Sequence, residues 1–165
     1  MHDKGLYVTA VYAKCTVVER KDLWSSIDNI NMIIDGPWCI GGDFNVIMDP
    51  DEKLGGRPHR AHRSFDFVTT METCGLSDIG FTGPKFTWCN NWRPRKRIWK
   101  RLDRIFVNDQ WVQVFQHNYV KHLVRTGSNH RPLLMKCHSD QHEIIKYFRF
   151  LNFWTEQQDF LEVVQ

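Results

Sequence analysis

The sequence contains no apolar run approaching the ~18 to 20 residues that a membrane helix needs. Its first residues, Met1-His2-Asp3-Lys4-Gly5, do not lead from a basic start into an apolar stretch. Neither a membrane span nor a recognisable secretion signal is expected. Closely paired cysteines are missing too: Cys15, Cys39, Cys74, Cys89 and Cys137 are separated by 24, 35, 15 and 48 positions. Such spacing offers no CxxC zinc pair and no disulfide framework, which points to a reduced, intracellular setting. There is no internal repeat and no low-complexity tract. At 165 residues, 42% hydrophobic and 25% charged, the chain reads as one soluble globular domain rather than a fibre or a disordered tail.

Aromatic residues, by contrast, are abundant: 7 Trp, 11 Phe and 4 Tyr. Such side chains build cores and also stack on nucleic-acid bases. The net charge is only +3, but residues 93–104 hold seven basic residues and one acid, a local net of +6, so the rest of the chain carries -3. One concentrated basic segment on a mildly acidic domain suggests a localised contact with a polyanion.

Residues 6–13 carry β-branched and aromatic side chains on both faces, as a central strand covered on both sides would. Leu23, Ile27, Ile30 and Ile34 recur at steps of 4, 3 and 4, which predicts an amphipathic helix over 19–34, ended by Gly36-Pro37. Trp38-Cys39-Ile40 then reads as a short strand running into Gly41-Gly42-Asp43-Phe44-Asn45. The polar segment 49–63 reads as a surface loop. Phe67, Val68, Met71 and Cys74 mark a second helix, with Ser64 placed to cap it and Gly75 in the position after its end. Short strands are predicted over 86–89, 102–107, 119–124 and 132–137, and a brief helix over 109–115. The sum is an α/β domain with a more antiparallel second half.

Several residues could carry chemistry. If the strand continues through Asn45, Asp43 and Asn45 share a face and could orient water or hold a phosphate oxygen or a metal-bound water. An Asx-type turn capping the strand is the alternative. His130, in the loop Ser128-Asn129-His130-Arg131-Pro132, could donate to a phosphoryl oxygen or simply be a surface side chain. Tyr12 is open between core packing and a site hydroxyl. His59/His62 and His138/His142 have metal-compatible spacings but no matching Cys or carboxylate, and read as solvated loop histidines. Residues 93–104, interleaved with Trp92 and Trp99, could form a basic hairpin suited to phosphates and bases together, through Arg93, Arg95, Lys96, Arg97, Lys100 and Arg101. A solvated loop or a nuclear-import signal would have the same composition.

In chain order, Val11-Tyr12, Gly42-Asp43-Phe44-Asn45, Phe86-Thr87-Trp88, Arg101-Leu102-Asp103-Arg104-Ile105 and Ser128-Asn129-His130-Arg131-Pro132 resemble the latter part of the endonuclease/exonuclease/phosphatase superfamily. Within it, residues 6–137 resemble the endonuclease domain of a plant LINE-type (non-LTR) retrotransposon. The tail 148–154 is similar to the segment that precedes the reverse transcriptase in such elements. The resemblance implies a four-layer α/β sandwich, two mixed sheets face to face with helices outside. It also implies one divalent metal, usually Mg²⁺, and hydrolysis of a DNA phosphodiester by an activated water. Carried over, Asp43 would orient or deprotonate the water, and Asn45 would contact phosphate and metal. Tyr12 would face the phosphate, Trp88 would support the site or the DNA, Asp103 would be the acid of the Arg-Leu-Asp strand that positions it, and His130 would bind the phosphoryl oxygen.

Two departures accompany the resemblance. The family's early strands, with the metal-binding Glu, lie upstream of the Tyr12 strand, so the chain is expected to lack its first strands and its main metal ligand. Asn129 stands where the family has Asp, and an Asp there is expected to orient the imidazole. The expectation is a partial domain over 1–140, impaired in catalysis, followed by a helical linker over 141–165 leading to a reverse transcriptase, acting on DNA in the nucleus with no membrane contact. The competing reading is a non-catalytic nucleic-acid-binding remnant that uses the hairpin 92–104. A phosphatase of small phosphoesters suits that hairpin less well.

Overall fold

A computed structural model describes residues 5–139. His142, the tail 148–154 and the linker expected over 141–165 lie outside the described residues. Those described form strands β1 (Tyr7–Tyr12), β2 (Trp38–Asp43), β3 (Lys53–Leu54), β4 (Ser77–Asp78), β5 (Trp88–Cys89), β6 (Trp99–Lys100), β7 (Asp103–Val107), β8 (His117–His122) and β9 (Leu133–His138). Helix α1 (Lys21–Ile33) follows β1, α2 (Phe65–Thr73) follows β3 and α3 (Asp109–Val114) follows β7. The strands make a four-stranded sheet in the order β1-β2-β7-β4, a three-stranded sheet β3-β6-β5 and the β8-β9 hairpin. β1 runs parallel to β2 through the α1 crossover, whereas β2 and β7 pair antiparallel. The result is a mixed α/β fold with several sheets and few helices.

Alternation along β2 assigns the two faces of its sheet. Trp38 and Ile40 point to one side, where Trp24 and Ile27 of α1 and Phe67 and Met71 of α2 complete the main core. Within it Phe67 meets Trp24 at 5.3 Å, Phe44 at 5.2 Å and Phe106 at 5.7 Å between ring centroids. Each such pair adds about 0.5 to 1.5 kcal/mol beyond its buried area. Cys39 points to the other side, where Val107, Trp111, Met135 and Cys137 pack. The β8-β9 hairpin and α3 therefore cover the face opposite α1 and α2.

Three expectations need correction. β1 is an edge strand among those described, pairing with β2 alone. Val11 is buried, while Val8 and Tyr12 are exposed. Apolar residues on both faces suit a covered strand and an edge strand alike, and only the pairing decides. The segment 49–63 is not simply a loop, since it holds β3 and two 3₁₀ turns, Pro50–Glu52 and Ala61–Arg63, and it buries Glu52. Ser64 occupies the cap position of α2 without capping it, because its hydroxyl donates to the Ala61 carbonyl and meets His59 Nε2 at 3.1 Å. The other end of α2 is as expected. Gly75, at φ +62°, donates to the Glu72 carbonyl and Leu76 to that of Met71, closing the helix with a Schellman motif.

Candidate active site

Gly41 and Gly42 let three strands meet where the site begins. Gly42 has φ +142°, and a Cβ there would sit 2.0 Å from the Val11 carbonyl oxygen of β1; one on Gly41 would press on Ile105 and Arg104 of β7. The close approach sets Asp43 in register with Tyr12 on one side and Asp103 on the other. Phe44 turns into the core at 0% exposure and anchors the strand end. The strand stops at Asp43, so Asn45 does not project as a continuing strand would. Its backbone is left-handed, φ +51°, and Asp43 Oδ1 accepts its N–H at 2.9 Å, an Asx turn. The two side chains still meet, because Asn45 Nδ2 donates to Asp43 Oδ2 at 3.2 Å and to the Ala13 carbonyl at 2.8 Å. Turn and site are the same feature.

His130 completes the cluster from the loop before β9. Its Nδ1 lies 3.0 and 3.2 Å from the two oxygens of Asp103, and its Nε2 lies 3.8 Å from Asp43 Oδ2. Donor atoms of Asp43, Asp103 and His130 all fall within 4.8 Å of one another, the one such metal-capable group among the described residues. Burial, reinforced by the neighbouring Asp103 charge, pushes the Asp43 carboxyl above its ordinary range against the hydrogen bond from Asn45 and the His130 charge. Asp43 is thus a stronger base than an exposed carboxylate, facing an imidazole whose far nitrogen is held by a second carboxylate. Thr87 ties these parts together. Its buried hydroxyl accepts the N–H groups of Leu102 and Asp103 at 2.9 and 3.0 Å, and its carbonyl accepts that of Arg131 at 2.8 Å.

A model of the endonuclease/exonuclease/phosphatase family matches residues 6–130, from β1 to the histidine of this cluster. The chain belongs to that family. Among solved structures it is similar to the endonuclease domain of TRAS1, a telomere-specific non-LTR retrotransposon. The TM-score is 0.54, with 16% identity over 74% of this chain and 53% of that one. A second similarity is to beta toxin of Staphylococcus aureus, with a TM-score of 0.41 and 19% identity over 75% and 44% of the two chains. The chain therefore spans about half the length of the TRAS1 domain structure. No curated protein matches it.

Against this family frame, Asp103 rather than position 129 orients the imidazole. Asn129 is exposed; its backbone carbonyl accepts from the Cys89 N–H, and its side chain lines a shallow surface hollow with Arg125 and Ser128. Impaired orientation of His130 thus does not follow from Asn129. Tyr12 stands beside Asp43 in the sheet register but is 84% exposed and makes no hydrogen bond among the described residues. Trp88 bridges His130 through its backbone, and its ring lies 5.5 Å from Lys100 Nζ.

The basic segment divides in two. Arg93, Arg95, Lys96 and Arg97 are exposed on the 90–98 connection between β5 and β6, next to an exposed Trp92, and form the expected hairpin. Arg101 and Arg104 instead turn inward, so Arg101 is not available to nucleic acid. Arg101 pairs with Glu52 at 3.1 Å and with Asp78 at 2.8 Å; Arg104 pairs with Asp78 at 3.0 Å and also with Glu52. The four charges sum to zero and flank Asp103 on β7. Glu52 and Asp78 carried no sequence signal for burial, since each is a polar residue in a turn or a two-residue strand.

Because the folded state raises the Asp43 pKa, the folded protein binds more protons there than the unfolded chain does, and stability falls as pH rises through that window. Asp43→Asn removes this cost and keeps the acceptor for the Asn45 N–H. It should therefore stabilise the fold at neutral pH by about 0.5 to 2 kcal/mol. Thermal melts across the carboxylate pH range would show the gain over the wild type shrinking as the pH is lowered. A variant that melts below the wild type at neutral pH would contradict the assignment.

Proposed function

We propose that the chain is the DNA-cleaving domain of a non-LTR retroelement, hydrolysing a phosphodiester bond with a water activated at Asp43. The observation that carries this reading is the Asp103–His130–Asp43 arrangement, with Nδ1 held by one carboxylate and Nε2 facing the other. With Nδ1–H donated to Asp103, a protonated His130 would present Nε2–H to a phosphoryl oxygen and stabilise its developing charge. Asp43 would take the proton of the attacking water, whose oxygen bonds to phosphorus as the ester oxygen leaves. Asn45 would hold the Asp43 carboxylate in place through its two hydrogen bonds.

The residues also suit a hard divalent cation. The Asp43 carboxylate and Asn45 Oδ1, which accepts no hydrogen bond among the described residues, are oxygen donors of the type such ions take. A bound Mg²⁺ would supply positive charge that polarises the phosphate and acidifies its water. The exposed Arg93, Arg95, Lys96 and Arg97 beside Trp92 support DNA as the substrate, since they combine phosphate-binding cations with a stacking surface. In a full-length element acting in the nucleus, a reverse transcriptase domain would follow.

The test is nicking of supercoiled plasmid with Mg²⁺ and with EDTA. Metal-dependent conversion to open circles, lost in Asp43→Ala, is the expected result. Binding that is indifferent to metal, with no nicking, would favour a non-catalytic module built on the exposed hairpin.

A further inference from the structure

Next to the Asp43–Asn45 turn lies a cavity of about 660 Å³ whose walls carry Arg20, Lys53, Arg57, Arg60, Arg63 and Lys100, and no carboxylate among the described residues. His59 and His62, which read as solvated from the sequence, also line it. A metal does not suit them. Six cations surround the pair, and burial together with Lys53 and Arg63 pushes the His59 pKa down. The same crowding, after burial, pushes Lys100 down through Lys53 and Arg20. Like charges are held together here, and among the described residues no carboxylate lies in the cavity wall beside them.

Some of these groups are already engaged. The Arg20 guanidinium donates to the carbonyls of Lys14, Cys15 and Asn45, and Lys53 Nζ to that of Arg57. The guanidiniums of Arg57, Arg60 and Arg63 pair with no carboxylate among the described residues, and all three side chains belong to exposed residues. Three guanidiniums on one short segment, 57–63, can meet more than one phosphate. The cavity also reaches the reaction site: Asn45 lines it and touches Asp43, and Leu102 lines it and precedes Asp103.

We propose that this cavity is a phosphate-binding subsite, separate from the 90–98 hairpin, that takes the backbone of the DNA strand on one side of the bond to be cut. The inference rests on the nuclease reading but is tested by binding alone. Cys15 lines the cavity and is exposed, Cys137 is half-buried outside it, and Cys39, Cys74 and Cys89 are buried, so alkylation mapped to Cys15 reports on occupancy.

In EDTA, saturating duplex DNA should slow iodoacetamide modification of Cys15 in the full chain by about tenfold or more. The Arg57→Ala/Arg60→Ala/Arg63→Ala variant, its fold checked by thermal melting, should lose that protection. Its slope of log affinity against log salt should flatten by up to about 2.7, so that between 50 and 200 mM salt the wild type loses about 40-fold more affinity than the variant. The hairpin variant Arg95→Ala/Lys96→Ala/Arg97→Ala should bind more weakly yet keep Cys15 protected once saturated. Equal alkylation with and without DNA, an unchanged slope in the cavity variant, or equal protection by inorganic phosphate at matched phosphate concentration would each overturn the proposal. Plasmid nicking keeps the two readings apart: protection without nicking removes the nuclease, and nicking without protection removes the subsite.

Discussion

Asp103→Asn is expected to lower Mg²⁺-dependent nicking by about 10³- to 10⁴-fold, as does replacing the buried carboxylate behind a catalytic histidine by its amide. The carboxylate accepts from His130 Nδ1 at 3.0 Å, and in the proposed mechanism it would stabilise the imidazolium that binds the phosphoryl oxygen. An amide can present its NH₂ group to Nδ1 instead, which selects the tautomer with the proton on Nε2 and leaves the ring neutral. DNA affinity should change little, since Asp103 is buried and its carboxylate is taken up by His130 Nδ1. The separation is made by single-turnover nicking at saturating enzyme together with anisotropy binding in EDTA. A loss of less than tenfold would mean that His130 works without Asp103.

The pairing of Asp103 with His130 shows where sequence reading stops. Helix α1 was legible because burying Leu23, Ile27 and Ile30 requires a 3.6-residue repeat, and β2 because a short apolar run must be sheltered on both faces. The contact between residues 103 and 130 has no local signature, and the resemblance of the ordered motifs named both residues without pairing them. Position 129 was misjudged for the same reason: adjacency to His130 in the chain says nothing about which carboxylate reaches Nδ1 across the sheet. The inward turn of Arg101 and Arg104 was hidden by composition, since an arginine reads as exposed until its partners are known, and those partners lie 49 and 52 positions away in Glu52. The cationic cavity is hidden likewise. Its cations come from the segment after β1, the 53–63 segment and β6, and each piece alone looks like ordinary solvated charge.

Arg104→Met should destabilise the fold by about 3 to 5 kcal/mol, because removing one partner of a buried ion pair leaves the others without compensation. For a domain of this size the melting temperature should drop by about 10 to 20 °C. Arg104 is 1% exposed and, among the described residues, it and Arg101 are the two that form ion pairs with Glu52. Burial alone would raise the carboxyls of Glu52 and Asp78. The Arg104 hydrogen bond and charge on Glu52, and those of Arg101 on Asp78, more than offset it and hold both below the ordinary range. Folded-state pKa values below the unfolded ones contribute stability that is fully present above the unfolded carboxylate range and is lost as pH falls through the folded values. The penalty of Arg104→Met should therefore be largest near neutral pH and shrink in acid. Adding Glu52→Gln should recover part of the loss, since it restores one Arg101–Asp78 pair with no net charge and keeps an acceptor for the Met48 N–H. Because Arg101 and Arg104 bracket Asp103, the single variant should also lose nicking well below its melting temperature, and the double variant should regain some of it. Urea unfolding at neutral and acid pH measures the first effect. A penalty below about 1 kcal/mol, the range of an exposed pair, would show that the four charges are solvated rather than holding the strand that carries Asp103.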